Sequence, residues 1–135
     1  KIFHGPLNAI TLTNQDIPGL IDELPIIAII ATQAVGKTEV RGAKELRIKE
    51  CDRIHAICTN LKKMGVDIKE LDDGFIINGP TKLKGTQIET FHDHRIAMAF
   101  TVAGLIADGN VILDYPECAF ISYPEFYDEL DNLTI

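Results

Sequence analysis

Cysteine is scarce and tryptophan is absent among the 135 residues. Cys51, Cys58 and Cys118 are odd in number, and no two of them have the Cys-x-x-Cys spacing of a zinc or redox pair. We therefore expect reduced thiols in a cytoplasmic protein, without a disulfide framework. His92-Asp93-His94 has no third nearby ligand, so we expect no metal site there.

Basic residues are outnumbered, with 13 lysines and arginines against 20 aspartates and glutamates and a net charge of −7. This balance argues against nucleic-acid binding, which requires a basic face. Small anionic ligands stay possible because a few local cations can dominate a cleft.

Hydrophobic runs long enough to span a bilayer are also missing, so we expect no membrane span. The start of the chain has neither a signal-peptide pattern nor an initiator methionine, and we expect a fragment of a longer protein. With 46% hydrophobic residues, the chain can form one compact domain with a core.

Strand-like and helix-like segments alternate along the first half of the sequence. A long apolar segment follows Asp22, and its length and terminal glycine favour a buried helix. The expected order is β-α-β-α-β-β: strand Ala9–Leu12, helix Leu24–Val35, strand Thr38–Arg41, helix Glu50–Met64, and a hairpin of Val66–Glu70 and Phe75–Asn78.

The pattern then begins again, with Gly36 and Gly109 closing corresponding apolar helices 73 residues apart. The predicted elements are strand Gln87–Phe91, a helix from Asp93 to Ala107, strand Asn110–Asp114 and helix Pro124–Leu133. We interpret residues 1–79 as one unit and residues 80–135 as a second, truncated copy. A coincidental α/β alternation is the alternative.

Cations are concentrated where two helices are expected to start. Lys49 and Arg53 are four residues apart, which would place them on one helical face beside Glu50. His94 and Arg95 similarly follow Asp93. Because a helix start already carries positive partial charge, such cations are unfavourable for the helix but suited to binding phosphate or carboxylate.

Simpler interpretations of these residues remain open. The cations would be solvated surface charges if they only pair with Asp52, Glu45 and Asp93. Asp22 would be a helix N-cap. Cys51 would have a lowered pKa beside Lys49 and Arg53, although no base accompanies it.

Four blocks closely resemble the EPSP synthase (3-phosphoshikimate 1-carboxyvinyltransferase) family, in the order that the family has them. They are Ile21–Pro25, Arg47–Gly65 with its Lys-Glu-Cys-Asp-Arg core, Asp93–Ala99 with Asp-His-Arg, and Ser122–Phe126. The resemblance implies an α/β fold of repeated β-α-β-α-β-β units, forming part of one lobe of an inside-out α/β barrel. It covers about the final third of a complete member, so the expected partner is the missing N-terminal lobe.

The resemblance also implies transfer of the enolpyruvyl group of phosphoenolpyruvate to the 5-hydroxyl of shikimate 3-phosphate, without metal or organic cofactor. Asp22 would contact the shikimate hydroxyls and accept the proton of the attacking one, and Lys49 would bind shikimate 3-phosphate. Arg53 and Arg95 would bind phosphoenolpyruvate. Glu50 and His94 would lie close to the transferred enolpyruvyl group.

One position departs from the family pattern. Many members carry a lysine immediately before the Ser/Thr-aromatic-Pro block, where it helps to bind the departing phosphate, whereas this sequence has Ile121. Two rival functions remain: UDP-N-acetylglucosamine enolpyruvyl transfer, and a non-catalytic anion-binding domain derived from the same fold.

Overall fold

The computed structural model of the chain describes residue 3 and residues 5–133. Positions 1, 2, 4, 134 and 135 lie outside the described residues. They belong to the outer ends of the two predicted units, and the first three also belong to the start that lacks a signal-peptide pattern. The predicted order of elements is confirmed in the first unit, with a short extra helix. The elements are β1 (Thr11–Leu12), α1 (Ile17–Leu20), α2 (Leu24–Ala31), β2 (Gly36–Val40), α3 (Arg53–Lys63), β3 (Asp67–Leu71) and β4 (Gly74–Gly79).

These strands form a four-stranded mixed sheet in the order β1-β2-β4-β3. β1 is parallel to β2, and β4 is antiparallel to both β2 and β3. The hairpin expected around Asp72-Asp73-Gly74 is therefore present. No residue with a side chain fits at position 74 without a shift of the backbone, because a Cβ there would lie 1.9 Å from the carbonyl oxygen of Val40.

The buried helix after Asp22 is shorter than the predicted Leu24–Val35. α2 ends at Ala31, and the Thr32 hydroxyl donates to the carbonyl of Ile29 over 2.7 Å. Val35 instead exchanges backbone hydrogen bonds with Leu7 and Ala9, at 2.9 and 3.0 Å. Apolarity alone could not locate this end because the chain stays hydrophobic as it enters the sheet.

Helix α3 begins three residues later than predicted, at Arg53 rather than Glu50. Asp52 is its N-cap and accepts a hydrogen bond from the His55 amide at 3.0 Å. At the other end, Gly65 has a φ of 88°, and Gly65 and Val66 donate to the carbonyls of Lys62 and Leu61. This Schellman motif explains why the helix ends where the sequence suggested.

The second unit contains a parallel pair of strands joined by a helix. Its elements are β5 (Gln87–Ile88), α4 (His94–Gly104), β6 (Ile112–Leu113) and a final helix α5 (Phe126–Leu133). α4 stops at Gly104 rather than Ala107, and α5 begins at Phe126 rather than Pro124.

Strand pairing repeats with a constant offset between the two units. Thr11 pairs with Glu39 and Gln87 with Ile112, and isolated parallel bridges join Asn8 to Val35 and Lys84 to Asp108. Between the units, the N-terminal residue of each pair moves by 76 positions (11 to 87 and 8 to 84). The C-terminal residue moves by 73 positions (39 to 112 and 35 to 108). Two related units would produce such an offset; the division into units 1–79 and 80–135 stays a prediction.

Helices α2, α3 and α4 contact one another and share one core with the four-stranded sheet. Its largest fully buried apolar members are Phe75, Phe100, Leu24, Leu46, Ile54, Ile57, Leu61, Met64, Ile77, Leu83 and Ile88. Cys58 also lies in this core. This packing brings the starts of all three helices together at one end, although they are far apart in sequence.

Candidate active site

Arg53 is the centre of the charged cluster where the three helices start. Its side chain is 1% exposed, and all three guanidinium nitrogens donate to carboxylates. Nε contacts Asp93 Oδ2 at 2.8 Å, Nη1 contacts Asp22 Oδ1 at 3.0 Å, and Nη2 contacts Glu50 Oε2 at 2.7 Å. One arginine thus holds carboxylates from three separate segments of the chain.

Asp93 connects Arg53 to the start of α4. Its carboxylate is fully buried, and Oδ1 accepts from the amides of Arg95 and Ile96 at 2.9 and 3.3 Å. Asp93 is therefore both the N-cap of α4 and the buried counter-ion of Arg53. The sequence placed Asp93 in a motif but gave no sign of this bridging position, which only the packing of α3 against α4 creates.

Asp22 lies at the boundary between Arg53 and solvent, with its side chain 45% exposed. Lys49 Nζ lies 3.5 Å from Asp22 Oδ1 and 3.3 Å from Glu45 Oε1. Burial tends to raise the pKa of Asp22, but the positive charges of Lys49, Arg95 and Arg53 outweigh it and lower that pKa below its ordinary value. Asp22 is thus an ionised carboxylate at neutral pH, within a 3-10 turn (Ile21–Glu23) and not at the N-cap of α2.

The pKa of Lys49 is raised, mainly by its contact with Glu45 and secondarily by Asp22, with burial acting in the opposite direction. Lys49 follows another 3-10 turn (Lys44–Ile48) and has extended backbone angles. The prediction that Lys49 and Arg53 share a helical face is therefore wrong, because the helix begins only at Arg53. The two cations meet instead through Asp22.

Arg95 approaches the same cluster from α4. Its Nη1 donates to the backbone carbonyl of Asp22 at 2.9 Å and to Glu23 Oε1 at 2.8 Å. Glu23 was missed as a member of the cluster, and its place directly after Asp22 was the available signal. The ring of His94 is half-buried and, among the described residues, has no hydrogen-bond or ion-pair partner.

Arg47 belongs to the same motif but serves the scaffold. Its guanidinium donates to Asp52 Oδ2 and Glu70 Oε1 at 2.7 and 3.0 Å, and to the carbonyls of Asp72 and Leu71 at 2.8 and 2.7 Å. Arg47 thereby ties the β3–β4 hairpin to the cap of α3.

The alternative that the motif cations only form solvated pairs with acidic side chains is correct about the pairs but not about their exposure. Pairs between Arg47 and Asp52, Lys49 and Glu45, and Arg53 and Asp93 all form, but the last is buried from solvent. The helix-start amides of His55, Arg95 and Ile96 are occupied by aspartate caps, so any anion would be held mainly by side chains.

Carboxylates outnumber cations in this cluster. Among the described residues joined by these contacts, five carboxylates face three cations: Asp22, Glu23, Glu45, Glu50 and Asp93 against Lys49, Arg53 and Arg95. An anionic ligand therefore needs displaceable carboxylates or additional cations from elsewhere.

A small pocket of about 140 Å³ lies beside Arg95, with apolar walls from α2, α4 and α5. Its residues are Asp22, Glu23, Pro25, Ile26, Arg95, Met98, Ala99, Val102 and Phe126. This volume is below the roughly 300 Å³ at which ligand pockets usually begin. Within the described part of the chain, no three His, Cys, Asp or Glu side chains are grouped to hold a metal ion, and no helix is long and apolar enough to cross a membrane.

The lowered pKa considered for Cys51 is wrong. Burial and the neighbouring Asp93, whose Oδ2 lies 3.6 Å from Sγ, raise the pKa of the Cys51 thiol to about 12. Arg53 favours the thiolate but is outweighed. Ile121, at the position where the family often has lysine, is an exposed apolar side chain in the 3-10 turn Pro116–Ile121.

Comparison with known proteins identifies relatives over nearly the whole chain. The family model for EPSP synthase (3-phosphoshikimate 1-carboxyvinyltransferase) matches residues 2–130. The 3-phosphoshikimate 1-carboxyvinyltransferase of Aquifex aeolicus is 53% identical over 92% of this chain and 29% of its own length. That of Persephonella marina is 46% identical over 97% of this chain and 30% of its own length.

Solved structures of enolpyruvyl transferases have the same fold as this chain. An EPSP synthase from Acinetobacter baumannii superposes with a TM-score of 0.90 at 39% identity, covering 94% of this chain and 30% of that one. The enolpyruvyl transferase NikO from Streptomyces tendae gives a TM-score of 0.75 at 20% identity over 98% of this chain and 29% of its own, a likeness of fold alone. The expected α/β fold, as part of the enolpyruvyl transferase architecture, is confirmed. The chain spans about 30% of the length of the curated relatives it matches.

Proposed function

This chain belongs to the EPSP synthase family, and we propose that it forms part of the site that transfers the enolpyruvyl group of phosphoenolpyruvate to the 5-hydroxyl of shikimate 3-phosphate. The observation that carries the proposal is the convergence of Asp22, Glu50 and Lys49 around the buried Arg53. These residues come from two separate motifs, and a shared structural cluster is what a common substrate requires.

The reaction needs proton acceptors and donors in fixed positions. The 5-hydroxyl oxygen bonds to the central carbon of phosphoenolpyruvate while its proton leaves, and the terminal methylene carbon gains a proton. The resulting tetrahedral intermediate then loses phosphate and one methyl proton, which restores the double bond. Phosphate is the leaving group, and no oxidation or reduction occurs.

Asp22 is suited to accept the hydroxyl proton, because it is ionised and half-exposed at the edge of the cluster. In the ligand-free chain its neighbouring cations lower its pKa and so weaken it as a base. If Lys49 turns to the phosphate of shikimate 3-phosphate, Asp22 loses one of these cations. Substrate binding would then make Asp22 more basic where the proton must be removed.

Glu50 is a partner of Arg53 that a ligand can reach and displace. Its side chain is 48% exposed, whereas Asp93 is fully buried. An anionic group of phosphoenolpyruvate that takes its place on Arg53 would free Glu50 beside the ligand. Glu50 would then lie beside the methylene carbon as the candidate proton donor.

Arg95 and His94 would be the remaining residues of this chain that contact phosphoenolpyruvate. Arg95 is partly exposed and held by the displaceable Glu23, so it can exchange that carboxylate for a ligand anion. The half-buried His94 is adjacent, at the first turn of α4. Because the cluster has more carboxylates than cations, we propose that the remaining part of the protein supplies further positive charge and that this chain alone has negligible turnover.

The test is phosphate release by the full-length protein when shikimate 3-phosphate and phosphoenolpyruvate are mixed. We expect release with shikimate 3-phosphate and none with UDP-N-acetylglucosamine as acceptor; the reverse result would assign the rival transferase function. Release with neither acceptor would support the non-catalytic, anion-binding alternative. We further propose a cytoplasmic location, in line with the three free thiols of the described chain.

Site assignment is tested with Asp22→Asn and Glu50→Gln, which preserve shape and remove charge. We expect each to lower kcat by about a hundredfold, within the range contributed by one acid–base group. Glu117→Gln changes an exposed glutamate of the Pro116–Ile121 turn and serves as the matched control. Near-normal kcat in both site variants would contradict the assignment.

A further inference from the structure

The turn that leads into Asp93 has an unfavourable backbone conformation. Phe91 and His92 have φ values of 53° and 55°, in the left-handed region that residues with a Cβ rarely occupy. Two such residues in succession persist only where surrounding contacts impose them. The turn sets the position of Asp93, whose carboxylate holds Arg53.

Thr90 and Asp114 provide hydrogen bonds to this turn, beside the ring contacts of Phe91 with His55 and of His92 with Tyr115. Thr90 is fully buried, and both its amide and its hydroxyl donate to Asp114 Oδ1, at 2.9 and 2.8 Å. The Thr90 hydroxyl oxygen accepts from the His92 amide at 3.3 Å, and the Thr90 carbonyl accepts from the Asp93 amide at 3.0 Å. Thr90 therefore bonds to two of the three residues that follow it.

The hydroxyl of Thr90 has a single proton, so its orientation is decided by Asp114. Burial acts to raise the pKa of Asp114, but the hydrogen bonds from Thr90, together with one from the Tyr115 amide, lower the pKa, so the group is an ionised acceptor. With its proton directed to Asp114, the hydroxyl can present only lone pairs to the His92 amide. The side chain of Asp114 thus fixes the turn through Thr90.

A comparison with the first unit shows that the scaffold itself does not require this arrangement. Arg41 occupies the position equivalent to Asp114: its amide donates to Leu12 at 3.0 Å, as the Asp114 amide donates to Ile88 at 3.1 Å. The Arg41 side chain points instead to Asp73 in the hairpin. The same strand geometry therefore forms without a carboxylate at this position.

We propose that Thr90 and Asp114 are positioning residues for enolpyruvyl transfer. They fix the turn that places Asp93, and Asp93 orients Arg53 towards Asp22 and Glu50. This proposal rests on the proposed function for its catalytic consequence. Its structural part, that Thr90 and Asp114 hold Asp93 in place, can be measured without activity.

The kinetic test uses variants of the full-length protein. Thr90→Val removes the hydroxyl at nearly constant size and should lower kcat/KM by about tenfold or more, the effect of losing one well-placed buried hydrogen bond. Thr90→Ser restores the hydroxyl and should remain within about threefold of wild type. Asp114→Ala should resemble Thr90→Val, while Asp114→Asn, which retains an acceptor oxygen, should be milder.

The structural test uses Cys51 as a local reporter of Asp93. Its Sγ lies 3.6 Å from Asp93 Oδ2, and this contact contributes to the raised pKa of its thiol. Displacement of Asp93 in Thr90→Val should accelerate alkylation of Cys51 by iodoacetamide, measured by mass spectrometry of its peptide. Cys58 is fully buried on α3 and serves as the internal reference for general unfolding.

Faster alkylation of Cys51 with unchanged Cys58, together with rescue by serine, is the expected result. An unchanged Cys51 rate in Thr90→Val would overturn the proposal, and so would wild-type kcat/KM in that variant. Equal acceleration of Cys58 would also overturn it, because the role would then be general stability. If wild type releases no phosphate, the proposed function fails, and the Cys51 rate still decides whether Thr90 and Asp114 hold Asp93.

Discussion

Arg47 and Arg53 lie six residues apart in one motif, and they hold different parts of the molecule. Arg47 bonds to the cap of α3 and to the β3–β4 hairpin, with a side chain that is 24% exposed. Arg53 is buried and bonds to carboxylates of three segments, none of them in that hairpin. One arginine fixes the scaffold, and the other assembles the candidate site.

This difference shows that a signature can be longer than the site it marks. Both arginines make charge-assisted hydrogen bonds with good geometry, so bond number does not separate their roles. What separates them is the place of their partners in the fold. Arg53 holds two partly exposed carboxylates, Asp22 and Glu50, that a ligand could reach, whereas Arg47 holds carbonyls and carboxylates of the fold.

The largest effect is expected for Arg53→Ala in the full-length protein. Removing this cation leaves the buried Asp93 without its counter-ion, which should lower the free energy of unfolding by about 3–5 kcal/mol. Urea denaturation followed by circular dichroism measures the change. Arg53→Lys, which keeps the charge but not the three-directional bonding, should retain part of the stability and still lose most activity. A loss below about 1 kcal/mol in Arg53→Ala would contradict the central role of Arg53.

Arg47→Ala should have a smaller effect on stability and little effect on kcat. It removes bonds to two carboxylates and two carbonyls at a partly exposed site, which we expect to lower the free energy of unfolding by about 2 kcal/mol. The same denaturation experiment, with phosphate release below the unfolding transition, measures both quantities. If Arg47→Ala instead reduced kcat as strongly as Arg53→Lys, the division between scaffold and site would be wrong.

Combining the two changes tests whether the two groups are independent. The partners of Arg47 and those of Arg53 have no residue in common. Destabilisation in the Arg47→Ala, Arg53→Lys double variant should therefore equal the sum of the single changes within about 0.5 kcal/mol. A larger coupling energy in the double-mutant cycle would show that the motif acts as one unit.

The mildest test concerns the acid titration of Asp22, a member of the Arg53 group. Its pKa in the folded protein is below the ordinary value of 3.8, despite the opposing effect of burial, because Lys49, Arg95 and Arg53 surround it. Asp22 therefore contributes stability that is present above pH 3.8 and is lost as pH falls through the lower folded pKa. Carbon-13 NMR of the Asp22 carboxyl should show this lowered pKa and a higher one in Lys49→Met. Lys37→Met, at an exposed lysine paired with Glu39, should leave it unchanged.

Several elements could be predicted from local sequence because local physics governs them. The apolar spacing in α3 and the glycine at position 65 predict a helix that ends where it does, in a Schellman motif. Asp72-Asp73-Gly74 predicts the hairpin. The beginning of α3 could not be placed in this way, because Lys49 and Glu50 are acceptable helix residues and only the cap geometry of Asp52 excludes them.

By itself, the sequence determined the alternation of elements in the first 79 residues, and it predicted a repeated unit and the residue types of the candidate site, since periodicity, turn residues and motifs are local properties. Only the tertiary structure decided which charges meet. Asp22, Glu50 and Asp93 lie on three segments, and the packing of α2, α3 and α4 in one core brings them to Arg53. Burial then makes that meeting obligatory, because a guanidinium removed from water requires carboxylate partners.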